Sequence, residues 1–376
     1  MVHPESEKLP DYDFPVMFPC VREVAEVLAE RKAGVIRFGR SPRGGIPPAA
    51  REGHYANDYK WDNAFSAILL AKQGHIKEAM EVLFAIVTTQ RPDGMIPNIT
   101  YAPKAGFSLE QLTFPGRKQS AYSQPTLEAI ALKEIIDAAQ TYEIPQATID
   151  TYTHGVFPYL AAQADYFMDD RVRRIDKDLV GLIHSNENGQ DSSPAFDYLK
   201  ILRAPRRGPD TPKALDYYNT VADIAGMALL SIRNRLNGWR TAEIFDYFCH
   251  LDPMMNVLFV NELRTMSEIA DEQGDHKSAQ LYRKHAYKIE EAILNDLWDP
   301  TARNHQGAFR AYKNPQGKGT LLAPGIHVPP LRKTGFVDAD TVSCIFPIML
   351  DNLPKIHLER LVEILSLIHI SEPTRQ

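Results

Sequence analysis

Apolar side chains recur at helical spacing along most of this 376-residue chain. In one segment Ala79, Val82, Leu83, Ile86 and Val87 all fall on a single helical face. Alternating apolar and polar positions, which are typical of half-buried strands, are almost absent. The chain is therefore predicted to be all-α, with helices at about 19–34, 62–73, 75–90, 124–141, 146–169, 217–236, 239–249, 255–273, 277–298, 341–350 and 356–364.

Short and long connections alternate between the predicted helices. Residues 74–75 and 274–276 form short connections, whereas long loops cover 91–123 and the region from 184 onward. Paired helices with long loops on one side are typical of a helical toroid or a helical solenoid. The run Ala71-Lys72-Gln73-Gly74 has an echo in Asp271-Glu272-Gln273-Gly274, but no regular repeat period fills the gap between them. A toroid is therefore preferred, and a solenoid of helical repeats is the second choice.

Charge and composition exclude several classes of protein. The net charge of −6 and the absence of a Lys/Arg-rich run argue against binding to nucleic acid. No apolar run reaches 18 residues, so no membrane span is predicted. Cys20, Cys249 and Cys344 lie too far apart for a zinc or disulfide framework and favour a reducing compartment. With no signal peptide at the N-terminus, a cytoplasmic protein without a metal or other cofactor is expected; its oligomeric state is not fixed by the sequence.

One polar stretch interrupts the helical pattern, at residues 184–198. It carries Glu187, Asp191 and Asp197 among Asn, Ser, Gly and Pro residues that favour turns. Neighbouring carboxylates raise the pKa of one of them, so Asp191 is a candidate general acid. The alternative is a solvated loop that ends in a helix cap.

Three further stretches combine polar groups with aromatic residues or turns. Tyr59-Lys60-Trp61-Asp62 places an aromatic ring that could stack on a sugar beside a carboxylate that could accept hydrogen bonds from hydroxyl groups. A Pro-Asp-Gly turn leads to Asn98, and Ser123-Gln124-Pro125 opens a helix. Each has a structural alternative: a helix cap for Asp62 and Gln124, a core position for Trp61, and a simple turn before Asn98.

Taken together, these stretches resemble glycoside hydrolase family 63, in its bacterial mannosylglycerate and glucosylglycerate hydrolase branch. The resemblance runs from about 55 to 364 and rests on several motifs in family order: Trp-Asp-x-x-Phe, Asp-Gly-x-Ile-Pro-Asn, Ser-Gln-Pro, Glu-x-Gly-x-Asp-x-Ser-Pro and Leu297-Trp298-Asp299. It implies an inverting α-glycosidase with an (α/α)6 toroid that acts on a small α-glucoside or α-mannoside.

The resemblance also assigns roles to individual residues. It makes Asp191 the general acid, and it makes the substrate-binding residues Tyr59, Trp61, Asp62, Asn98, Gln124, Glu187 and Gly189. Asn188 stands where the family usually has Ser. Tyr122 replaces an Arg that trehalases, more distant relatives, carry before Ser-Gln-Pro, and their Gly-Gly-Arg-Phe signature is absent. These departures argue against trehalose as the substrate.

The resemblance divides the chain into three parts. Residues 1–54 are expected to form an N-terminal arm, a first helix and a loop, and 55–364 a catalytic domain. Residues 365–376 are expected to be a non-native tail, because 365–375 resemble the translated sequence of a transposase adapter. The family's general base, a Glu, is expected beyond 364. The toroid is thus expected to be incomplete at its C-terminus, and the fragment to have little or no activity.

Two other functions remain open. A non-catalytic helical scaffold would expose an apolar groove and lack an acidic, aromatic-lined pocket. A polysaccharide lyase or an epimerase on a similar toroid would need a Tyr or His pair as acid and base, for which His184 and His305 are the nearest candidates.

Overall fold

The computed structural model describes residues 58–101, 119–120, 123–168, 172–173, 181–183, 250–313, 320–323, 326–328, 335–338 and 341–371. Helices dominate these residues. They are α1 Lys60–Lys72, α2 Ile76–Val87, α3 Glu128–Thr141, α4 Gln146–Tyr166, α5 Pro253–Glu272, α6 His276–Asp296, the short α7 Ala302–His305 and α8 Lys355–Ser371, with a 3-10 helix, η1, at Val342–Met349.

The strands are only two to four residues long and form sheets of two or three strands. Strands this short carry no readable alternation, which is why the sequence pattern did not predict them. They are β1 Asp58–Tyr59, β2 Ile99–Thr100, β3 Val172–Arg173, β4 Leu182–Ile183, β5 His250–Leu251, β6 Trp298–Asp299, β7 Ala308–Phe309, β8 Tyr312–Lys313, β9 Thr320–Ala323, β10 Ile326–Val328 and β11 Gly335–Phe336. The antiparallel pairs are β1 with β2, β3 with β4, β6 with β7 and β9 with β10, while β8 lies between β5 and β11.

The helices form two layers. Helix α3 packs on both α1 and α5, and these three build the inner layer. Helices α2, α4 and α6 each pack on the inner helix before them and build the outer layer. Connections of only three or four residues follow the inner helices, at 73–75, 142–145 and 273–275, as the sequence pattern predicted. Each outer helix therefore runs back along the inner helix before it, and the contact between Lys60 and Glu128 places the N-termini of α1 and α3 at the same end.

Burial follows this layering. The inner helix α5 buries Phe259, Leu263 and Met266 along nearly its whole length, whereas α6 buries one face only. On α1 the fully buried Ala64, Ala67 and Ala71 present small side chains, which let neighbouring helices approach closely. One continuous apolar core therefore connects the two layers.

The predicted and observed helices agree within a few residues where both exist. The segment predicted as a helix at 341–350 is a 3-10 helix instead, and it contains Pro347, which cannot donate a helical hydrogen bond. Helix α8 continues past Ile364 to Ser371. The helices predicted at 19–34, 217–236 and 239–249 lie outside the described residues. No helix in the described part of the chain is long and apolar enough to cross a membrane.

Candidate active site

The first turn of α1 carries three of the predicted substrate-binding residues. Strand β1 pairs Tyr59 with Ile99, and Tyr59 then serves as the N-cap position of the helix, where its side chain makes no capping hydrogen bond. Trp61 and Asp62 follow in the first turn, and all three residues are half-buried. Trp61 packs edge-on against Phe65, with the ring centroids 5.6 Å apart. Asp62 lies in the first turn of α1, where a negative charge interacts favourably with the helix dipole.

Asn98 lies directly beside this turn. Its main-chain oxygen accepts a hydrogen bond from the Lys60 N–H at 2.8 Å. Its side chain is buried, and its Oδ1 accepts a hydrogen bond from the Ser120 hydroxyl. The Ser120 hydroxyl in turn accepts from the Ile99 N–H at 3.1 Å. The Asn98 segment is thus fixed to the start of α1 through its main chain.

Gln124 joins the same group from the segment before α3. Its Oε1 accepts a hydrogen bond from the Trp61 N–H at 3.2 Å, so it satisfies one of the free donors at the start of α1. This is a capping contact, made across 63 residues of sequence. Ser123 beside it donates to the Ile96 carbonyl at 2.8 Å, which ties the Gln124 segment to the chain that leads to Asn98.

The structure therefore gathers Tyr59, Trp61, Asp62, Asn98 and Gln124 at one end of the inner layer. Glu187, Gly189 and Asp191 lie outside the described residues, as do Asn188 and His184. His305, the other histidine considered above, is exposed at the end of α7.

The chain entering the 184–198 stretch is nevertheless held firmly. Ile183, the last residue of β4, donates its N–H to Oδ1 of Asn256 at 2.6 Å. Asn256 also donates from Nδ2 to the Ile183 carbonyl at 2.9 Å and to the Asp252 carbonyl at 2.9 Å. One buried amide near the start of α5 thus pairs with both backbone groups of the residue that precedes the stretch.

A buried charged cluster lies behind the α1 turn. The Lys60 Nζ is 3.2 Å from Oε1 of Glu128, and both side chains are fully buried. The side-chain amide of Gln163 is oriented so that its nitrogen faces Glu128 and its oxygen faces Lys60. The nitrogen donates to Oε2 of Glu128 at 3.2 Å, and the oxygen accepts from the Lys60 Nζ at 3.0 Å. Lys60 opens α1, Glu128 opens α3 and Gln163 comes from α4, so three helices meet at this ion pair.

Glu262 of α5 completes the cluster. Its Oε1 accepts from the Ala129 N–H at 2.7 Å and its Oε2 from the Ile130 N–H at 3.4 Å. These are donors of the first turn of α3, whose N-cap residue Leu127 makes no side-chain cap of its own. Glu262 therefore caps α3 from a different helix.

The cluster holds two carboxyl groups and one ammonium group in a buried place. Burial raises the pKa of Glu262 to about 8, and the neighbouring Glu128 carboxylate acts in the same direction. The N–H groups of Ala129 and Ile130 and the Lys60 ammonium oppose this shift. Burial also lowers the pKa of Lys60, against the attraction of Glu128. Near neutral pH the cluster is closest to electroneutral when Glu262 keeps its proton.

Sequence reasoning did not single out Lys60, Glu128, Gln163 or Glu262. A signal for two of them existed, because Glu128 and Glu262 occupy the apolar faces of their helices. Glu128 precedes Leu132 and Ile135 by four and seven residues, and Glu262 precedes Met266 by four. A carboxylate at a core position of a helix indicates a buried partner. Among the described residues no cluster of three or more His, Cys, Asp or Glu side chains could hold a metal ion.

Comparison with known proteins identifies relatives. A family model for the mannosylglycerate hydrolase MGH1-like glycoside hydrolase domain matches residues 55–367. The mannosylglycerate hydrolase MGH2 of Selaginella moellendorffii is 27% identical over 199 residues, which are 50% of this chain and 38% of that protein. A glucosylglycerate hydrolase of Mycolicibacterium hassiacum is 26% identical over 172 residues, which are 43% of this chain and 38% of that protein. The matched region thus spans well under half the length of these relatives.

Solved structures show the same fold. A family 63 mannosylglycerate hydrolase from Thermus thermophilus, in complex with Tris, superposes with a TM-score of 0.63 at 18% identity over 90% of this chain and 75% of that one. The complex of that enzyme with glucose gives a TM-score of 0.62 at 19% identity over 91% of this chain and 76% of that one. The two helical layers described above are therefore those of an (α/α)6 toroid, as the sequence resemblance implied.

Proposed function

This chain belongs to the mannosylglycerate hydrolase MGH1-like glycoside hydrolase family, and from that premise we propose that it binds and hydrolyses a small α-glycoside such as a glycosylglycerate. The observation that carries the proposal is the grouping of Trp61, Asp62 and Gln124 at one end of the inner helical layer. An aromatic face beside a carboxylate and a side-chain amide is suited to stack on a sugar ring and to bind its hydroxyl groups. Relatives that act on mannosylglycerate or glucosylglycerate support the choice of substrate class.

The proposed reaction is an inverting hydrolysis. A water molecule attacks the anomeric carbon on one face of the sugar, and the glycosidic C–O bond breaks on the other. Asp191 transfers its proton to the leaving oxygen, while a carboxylate on the opposite side accepts a proton from the water. Enzymes of this kind hold the two carboxyl groups roughly 6.5–9.5 Å apart to leave room for the water. By the family resemblance the second carboxylate is a Glu, which turnover requires and binding of the sugar does not.

Binding and turnover are therefore tested separately. Calorimetric titration with mannosylglycerate, glucosylglycerate and trehalose should show saturable binding of a glycosylglycerate and none of trehalose. Failure of both glycosylglycerates to bind would refute the proposed substrate class. Hydrolysis is monitored by measuring the glycerate that is released. The sugar product should first appear with the anomeric configuration opposite to that of the substrate.

The assignment of Asp191 is tested by Asp191→Asn. The amide has no proton of suitable acidity, so any hydrolysis should fall roughly 10²- to 10⁴-fold while the dissociation constant stays within about twofold. Asp197→Asn in the same stretch is the matched control and should keep most of the rate. An unchanged rate in Asp191→Asn would exclude it as the acid.

The proposal also includes the cellular compartment in which the protein acts. The three dispersed cysteines favour a reducing compartment, so we place the chain in the cytoplasm. A partner other than the small carbohydrate is not required by any feature described above.

A further inference from the structure

Four helices meet at the buried cluster behind the proposed sugar site. Lys60 belongs to α1, Glu128 to α3, Gln163 to α4 and Glu262 to α5, and the carboxyl and ammonium groups are all shielded from solvent. None of these side chains has a part in the hydrolysis as proposed. Buried ionisable groups are costly unless they are paired and hydrogen-bonded, so the partners of each group in the cluster are informative.

A short series of hydrogen bonds and one ion pair connects the buried cluster to the proposed site residues. The main chain of Lys60 donates to the Asn98 carbonyl at 2.8 Å, and its side chain pairs with Glu128. Glu128 opens α3, four residues after Gln124, whose Oε1 receives the Trp61 N–H. The end of α3 that adjoins Gln124 is thus held from both sides, by Lys60 and by Glu262.

We propose that Glu262 is a positioning residue: by capping α3 from α5, it holds Gln124 against the Trp61 N–H and so fixes the sugar-stacking ring relative to the Asn98 segment. Its hydrogen bonds to Ala129 and Ile130 anchor N–H groups of α3 for which the N-cap residue supplies no side-chain acceptor. This role rests on the proposed function insofar as it concerns sugar binding, but the backbone contacts it controls exist without any ligand.

Glu262→Met tests the proposal, because methionine keeps the length of the side chain and removes both acceptor oxygens. Hydrogen exchange followed residue by residue should become roughly ten- to a hundredfold faster at the Ala129 and Trp61 amides. Exchange in the middle of α5 should change far less. A purely global loss of stability would instead accelerate exchange throughout the inner layer.

Two variants serve as controls. Glu262→Gln keeps one acceptor oxygen and should restore most of the protection at both amides. Glu272→Gln removes an exposed carboxylate of the same helix, which also reaches α3 by bonding Lys133 at 2.8 Å. It should leave the Trp61 amide unchanged. If Glu262→Met does not fold, Glu262→Asp replaces it, since the shorter side chain draws the carboxylate away from the Ala129 N–H.

Titration with mannosylglycerate gives the second measurement. Glu262→Met should weaken binding about tenfold, and Glu262→Gln should bind within about threefold of the wild type. Wild-type exchange at the Trp61 amide in Glu262→Met, or an equal effect of Glu272→Gln, would overturn the proposal. If no variant binds the sugar, wild type included, the proposed function fails, while the exchange data still decide the positioning role.

Discussion

At the scale of single residues, Glu262 shows how a buried cluster with unequal charges makes stability depend on pH. Burial and the Glu128 carboxylate raise its pKa from 4.5 to about 8 in the folded chain. A carboxyl group with a raised folded pKa holds its proton more tightly when the chain is folded. Its favourable contribution is therefore fully present below pH 4.5 and is lost as the pH rises towards 8.

The first prediction is that Glu262→Gln flattens this pH dependence. Gln does not ionise, so the stability of the wild type relative to the variant should decline between about pH 4.5 and 8, by at most about 1.4 kcal/mol per pH unit. Urea unfolding at several pH values measures the difference. Glu272→Gln, at an exposed ion pair, should give a curve parallel to that of the wild type. Parallel curves for Glu262→Gln as well would mean that the Glu262 pKa is not raised.

A second residue-scale prediction concerns Asn256, which pairs with both backbone groups of Ile183. Asn256→Leu keeps the approximate volume but leaves a buried N–H and a carbonyl without partners, so it should destabilise the fold by about 2–4 kcal/mol. Exchange at the Ile183 amide should accelerate, since this amide loses its acceptor. Asn261→Leu, at a half-buried position of the same helix, is the control and should cost under about 1 kcal/mol. A loss of similar size in both variants would contradict the anchoring role.

At the scale of elements, the three inner helices end in the same way. After α1, Gly74 donates to the Ala71 carbonyl and His75 to the Leu70 carbonyl. The same pair of hydrogen bonds follows α5, where Gly274 has a φ of 79°. This is the Schellman arrangement, which needs a left-handed residue just after the helix. The echo between 71–74 and 271–274 in the sequence is therefore the repeated end of inner helices, not a helical repeat.

Helix α3 ends with the same hydrogen bonds but places Glu143 in the left-handed position, with a φ of 57°. A residue with a Cβ is strained there and glycine is not, so Glu143→Gly should stabilise the chain by about 0.5–1 kcal/mol. Gly274→Ala is the reciprocal test, because a Cβ at Gly274 meets no atom within 4 Å and only the backbone strain remains. It should destabilise by about 1 kcal/mol. Denaturant unfolding measures both, and a loss of stability in Glu143→Gly would refute the strain argument.

Local patterns explain why the described helices were predictable. Spacings such as those of α2 place apolar residues on one face, and the alternation of short and long connections follows from two helical layers. The sequence predicted an α-helix where the 3-10 helix η1 lies, because its apolar residues are spaced much as they are in an α-helix. Pro347 alters only the local backbone and leaves that spacing unchanged. The short strands depend on pairing across long connections, which a local pattern does not contain.

At the scale of the whole molecule, the site was predictable only in part. The family motifs indicated which segments would meet, and Trp61, Asn98 and Gln124 do lie together. They did not indicate that Gln124 would bond the Trp61 backbone, or that Glu262 would cap α3. Those contacts join residues 63 and 133 positions apart, and they depend on how the helices of the inner layer are arranged. A buried carboxylate on a helical face signals that a partner exists but does not identify it.

The last prediction concerns how sugar binding stabilises the whole fold. A ligand that binds at the junction of α1, the Asn98 segment and the start of α3 stabilises the folded state and not the unfolded chain. At 100 times its dissociation constant, mannosylglycerate or glucosylglycerate should raise the melting temperature by about 3 °C. Asp62→Asn keeps the shape of the side chain but removes its charge, so most of this shift should vanish while the ligand-free melting temperature changes little. Differential scanning calorimetry measures both. The shift in melting temperature depends on the affinity of the sugar for the folded chain, wherever the sugar binds. A full shift in Asp62→Asn would therefore show that the sugar does not contact Asp62 and binds elsewhere.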